Sequence, residues 1–103
     1  MIRVTLRSEG GRLTGFSCRG HAGFAAYGKD IVCAAVSVLT TTCVNALETV
    51  AGVQAKVRAE EGDMDVSLPP DAGRDAQVIM EAMRQGLRDI ADAYPKHLQL
   101  IEN

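Results

Sequence analysis

The sequence predicts an α+β domain in the order ββαββαβ, a mostly antiparallel sheet packed with two helices. Three observations predict it. Short apolar/polar alternations are punctuated by glycine turns, two long stretches carry apolar residues every three or four positions, and a proline closes the second of these. At 103 residues the chain is long enough for one domain, spanning 1–103, with a single modest core.

The elements follow in chain order. Ile2, Val4 and Leu6 alternate with Arg3, Thr5 and Arg7, the pattern of a half-buried strand. Glu9-Gly10-Gly11-Arg12 marks a turn, and Leu13 to about Ala22 is the returning strand of a hairpin. Asp30 to Val50 is a long helical stretch that stops near Gly52. Val53, Ala55, Val57 and Ala59 alternate with polar residues as a third strand; Glu61-Gly62-Asp63 turns the chain, and Met64, Val66 and Leu68 make a fourth, ended by Pro69-Pro70. From Asp75 to Tyr94, the stripe Ala76, Ile79, Met80, Met83, Leu87, Ile90, Ala91 and Tyr94 defines an amphipathic helix. Gly86 weakens that helix by roughly 1 kcal/mol against Ala, and Pro95 stops it. Leu98 and Leu100 form a short last strand.

Bulk properties narrow the function. Apolar residues make up 47% and charged ones 23%, as in ordinary globular chains. A net charge of −2 gives no basic face for general nucleic-acid binding. No uninterrupted apolar run reaches the roughly 18 residues of a membrane span. MIRVTLRSEGG alternates where a signal peptide would be apolar, so a cytoplasmic location is expected. Three cysteines, an odd number, fit a reducing compartment better than a disulfide scaffold.

Periodicity sorts those cysteines. On the second strand Cys18 shares a face with Phe16, the core side, while Ser17, Arg19 and His21 share the other. Cys18-x-x-His21 is therefore a poor metal half-site, whose ligands converge only if the strand has already ended at Gly20. Cys43 lies more than two helical turns beyond Cys33, so a zinc site is disfavoured. On the first helix Val32, Val36, Leu39, Cys43, Ala46, Leu47 and Val50 form the broad apolar side, so Cys43 is a small core hydrophobe. Cys33 groups instead with Ser37, Thr40, Thr41 and Glu48 on the polar side. With Asp30 as N-cap, Cys33 is the third helical residue, near free backbone N–H groups and the positive end of the dipole. Such a place favours a thiolate, the nucleophilic form, and the free N–H groups could serve a developing oxyanion. Asp30 is either that cap or a group that orients His21.

His21, between Gly20 and Ala22, is either the partner of Cys33 or a strand-end histidine bonded to a carbonyl. His97 is expected at the surface, as a reserve candidate. Gly20, Gly23 and Gly28 punctuate the connection, with Phe24 and Tyr27 between them. This loop is either a mobile lid over a bound chain or a segment that tucks its aromatics onto the core.

Gly20-His21-Ala22, followed by Gly28-x-Asp30-Ile31-Val32-Cys33-Ala34-Ala35-Val36-Ser37, resembles the signature of the ribosomal-processing cysteine protease family Prp. The likeness extends to the chain length, the ββαββαβ order and the amphipathic second helix that ends near a proline. The resemblance implies a bacterial cytoplasmic homodimeric endopeptidase. Its substrate is large-subunit ribosomal protein number twenty-seven, from which it removes a short N-terminal extension after a hydrophobic, Phe-containing motif. It puts the catalytic histidine and cysteine on His21 and Cys33, requires no metal or cofactor, and includes Ser37 in the pattern. The alternative class is a non-catalytic ribosome-associated module that binds protein through the glycine loop. A small redox protein is disfavoured because the chain has no Cys-x-x-Cys.

Overall fold

A computed structural model of the chain describes residues 1–26 and 28–103; Tyr27, which the sequence assigns to the glycine loop, lies outside them. Strands β1 (Ile2–Glu9) and β2 (Arg12–Arg19) form the first hairpin, and helix α1 (Ile31–Thr49) follows. The second hairpin is β3 (Lys56–Glu60) and β4 (Asp63–Ser67), then come helix α2 (Gly73–Ala93) and strand β5 (Leu98–Glu102). The sheet runs β3-β4-β2-β1-β5. Its pairs are antiparallel except β1 with β5, so the sheet is mixed.

Register explains the core. Val4 faces Cys18 and Leu6 faces Phe16 across the first hairpin, and Val66 and Met64 extend the same face onto β4. Met80, Met83 and Leu87 of α2, with Val32, Val36 and Leu47 of α1, close over that face in one cluster. Cys18 thus lies on the Phe16 side, as the strand period requires.

Four details depart from the sequence expectation. β2 ends at Arg19, short of Ala22, because Gly20 turns the chain out of the sheet at φ +92° and donates its N–H to Gly62 O at 2.9 Å. A Cβ on Gly20 would lie 2.6 Å from the Met1 carbonyl oxygen, so only glycine fits there. β3 begins at Lys56, and although Val57 and Ala59 stand in register with Val66 and Met64, they remain exposed. The helices stop short of this edge strand. Thr40, grouped above with the polar side, is buried one turn beyond Val36 and satisfies its hydroxyl by donating to Val36 O at 2.8 Å. Val50, assigned above to the apolar side, is the exposed C-cap.

Gly86 has a packing role. A Cβ there would lie 2.7 Å from Leu39 Cδ2, so the glycine lets α1 and α2 approach. By length and composition α1 could also cross a bilayer; here it packs as one of the two helices over the sheet, with Val32, Val36, Thr40 and Leu47 buried.

Candidate active site

Asp30 organises the start of α1. Its Oδ1 accepts the N–H groups of Val32 and Cys33, each at 3.0 Å. Its Oδ2 accepts those of Phe24 at 2.9 Å and Ala25 at 3.4 Å. One carboxylate therefore caps the helix and fastens the loop that precedes it. These donors, Cys33 N–H foremost, hold the Asp30 carboxyl below the usual carboxylate range. The geometry is that of the cap; among the described residues Asp30 makes no hydrogen bond to His21. The Val32 and Cys33 N–H groups, expected to be free for an oxyanion, are occupied by Asp30.

Cys33 is the third residue of α1 and half-buried, packed against the core cluster. Its Sγ accepts the N–H of Ala22 at 3.2 Å. His21 is exposed, and its ring rests against the β3–β4 turn: a Cβ built on Gly62 would lie 3.0 Å from His21 Nε2. Among the described residues the His21 ring makes no hydrogen bond to Cys33 Sγ, but the two side chains share the walls of two clefts. One, of about 340 Å³, continues past Cys18, Ser37 and Met64. The other, of about 250 Å³, lies beneath the loop and is lined by Gly23, Ala25, Gly28 and Asp30. The clefts meet at His21 and Cys33.

The remaining candidates fall around this junction. Ser37 is exposed one turn along α1 and lines the larger cleft. Burial, with smaller contributions from Cys33 and Asp63, pushes the Cys18 thiol up to about 11. Burial also raises the Cys43 thiol. Gly23 and Gly28 adopt φ +69° and +83°, a left-handed backbone that favours glycine. Phe24 tucks against the end of α2, its ring edge-on to Tyr94 at 5.4 Å and to His97 at 5.2 Å between centroids. His97, expected at the surface, is half-buried, with Nδ1 3.0 Å from Ala22 O. Among the described residues no three His, Cys, Asp or Glu side chains are grouped to hold a metal ion.

Sequence reasoning missed the roles of Ala22 and Gly62. Ala22 stands in the quoted signature and Gly62 in a legible turn, but the backbone bond of the one to Cys33 and the contact of the other with His21 across the sheet leave no local pattern.

Comparison with known proteins puts this chain in the class of cysteine proteases: residues 1–99 match the family model described as cysteine protease Prp. The ribosomal processing cysteine protease Prp of Bacillus subtilis (strain 168) is 34% identical over 110 aligned positions, covering 100% of this chain and 98% of that protein. The Staphylococcus aureus protease Prp, solved with a covalently linked product peptide, matches with a TM-score of 0.93 at 28% identity over 100% of both chains. SMU.848 from Streptococcus mutans matches with a TM-score of 0.89 at 33% identity, covering 99% of this chain and 93% of that one. The chain belongs to the Prp family of ribosomal-processing cysteine proteases.

Proposed function

We propose that the enzyme is a Cys–His endopeptidase that removes the N-terminal extension of large-subunit ribosomal protein number twenty-seven, cleaving after a hydrophobic, Phe-containing motif. The observation that carries this reading is the placement of His21 and Cys33 where two clefts meet, so that an extended peptide can cross the thiol with residues on either side. A Staphylococcus aureus Prp solved with a substrate peptide, at TM-score 0.88 and 25% identity, supports the same occupant.

His21 takes the Cys33 proton, and the thiolate attacks the peptide carbonyl carbon. As the tetrahedral intermediate collapses, the C–N bond breaks, the amine leaves with the proton from His21, and a thioester remains. His21 then takes a proton from water, the hydroxide adds to the thioester, and Cys33 departs as thiolate. The imidazole and thiol have no direct bond at rest, and such contacts commonly tighten only in the Michaelis complex. In this reading the segment bearing Gly20, Gly23, Phe24 and Gly28 adjusts over the bound peptide, tethered at its end by Asp30, and Ser37 lines the larger cleft. No cofactor enters the scheme. In the same reading the enzyme is cytoplasmic and acts as a homodimer.

The test is a cleavage assay on the extended ribosomal protein. Cys33→Ala is expected to abolish turnover with the fold intact, and an active Cys33→Ala protein refutes the assignment.

A further inference from the structure

We propose that His97 is a positioning residue for the nucleophile and acts on it through Ala22, an inference that rests on Cys33 being the nucleophile. His97 is itself firmly held. Its N–H donates to Tyr94 O at 2.9 Å, and its carbonyl accepts the Ile2 N–H at 2.9 Å, so it stands as a fixed post where β1 and β5 begin. From that post Nδ1 reaches Ala22 O at 3.0 Å. A carbonyl can only accept, so Nδ1 carries the proton.

Ala22 is 2% exposed, and its two polar groups point in two directions: the carbonyl to His97, the N–H to Cys33 Sγ at 3.2 Å. A buried carbonyl needs its partner. The Ala22 carbonyl belongs to the peptide that follows its Cα and the N–H to the peptide that precedes it, so the two contacts meet at one Cα. Without the His97 donor that Cα loses an anchor, and the N–H is free to drift from Sγ. The edge-on contact of the His97 ring with Phe24, two residues on, holds the same segment from its other end. A histidine 75 positions from Ala22 thereby sets a hydrogen bond on the thiolate that performs the attack.

Two variants separate the donor from the ring. His97→Phe keeps an aromatic against Phe24 and removes the donor. His97→Asn loses the ring but places an amide nitrogen at the position of Nδ1. The readouts are the iodoacetamide alkylation rate of Cys33 at pH 7, followed by peptide mass, and kcat and KM on the extended substrate. Hydrogen bonds to charged groups are the stronger class, so His97→Phe is expected to slow alkylation and kcat about tenfold with KM within about twofold. His97→Asn should stay within about threefold of the parent in both, on the same ground that it keeps the donor. Should the Phe variant fail to fold, as judged by its thermal midpoint, His97→Leu carries the same expectation. Unchanged alkylation without the donor, or equal losses in the donor-bearing and donor-free variants, overturns the proposal. Activity in a parallel Cys33→Ala protein would instead count against the nucleophile assignment, because the alkylation rates report the Ala22 coupling whichever group is catalytic.

Discussion

Gly62→Ala is the sharpest probe of how His21 is held. Gly62 has φ +70°, and an alanine in the left-handed region costs about 1–2 kcal/mol. For a domain near 100 residues that lowers Tm by about 5–15 °C. The new Cβ would also lie 3.0 Å from His21 Nε2 and 3.4 Å from Cε1, inside ordinary contact, so the ring must retreat. A 1 Å misplacement of a catalytic group can cost about 100-fold, and a displacement of about half that suggests a loss near tenfold in kcat/KM. Gly62→Asn divides the two effects: asparagine tolerates the left-handed backbone, yet it brings the same Cβ. It should recover part of the Tm while activity stays low. Thermal melts and steady-state cleavage on both variants give the answer. If Gly62→Ala loses Tm but keeps kcat/KM within about twofold, the ring does not depend on this backing, and the reasoning fails.

Further outcomes are expected. With the Cys18 thiol pushed up to about 11, only about one molecule in a thousand carries its thiolate at pH 8, so native iodoacetamide labelling should favour Cys33 over Cys18 by peptide mass; equal rates contradict this. Asp30 has a folded value below its unfolded one, so its contribution to stability is complete above the ordinary carboxylate range and fades as pH falls through the depressed value. The Phe24 and Cys33 amide resonances should therefore shift together with one midpoint below that range, and Asp30→Asn should remove the step. Leu87→Ala, at a fully buried site, should cost about 2–5 kcal/mol in denaturant unfolding. Val57→Ala, on the uncovered edge strand, should cost no more than about 0.5 kcal/mol.

The parts of this molecule that were legible in the sequence are those whose cause is local. Alternation in Ile2–Arg7 and the three-to-four spacing of Ala76, Met80, Met83 and Leu87 each state which face is buried, and the structure buries those faces. Asp30 three positions before Cys33 stated a helix start, and the cap has that form. Hidden features depended on where elements end in space. Val57 alternates as a half-buried strand should, but the helices do not reach β3. Thr40 has a polar name and a buried place, because donating to Val36 O removes the cost of its hydroxyl. The same limit applied to the site: Cys33 and Asp30 were visible because they share one helix start, whereas the Gly62 backing of His21 and the His97–Ala22 bond cross the sheet.

That dispersal also has a consequence in time. Cys33 and His21 lie early in the chain, but the turn that backs the imidazole follows α1, and His97 follows α2. Pairings between distant segments form after local ones, since loop closure must precede the contacts that reward it. A nascent chain carrying only the first hairpin and α1 would possess the thiol and the ring without their supports. With the dyad and the His97 role proposed above, proteolytic competence arrives only with the closing of the whole sheet, and an unfinished or misfolded copy is poorly equipped to cut other chains.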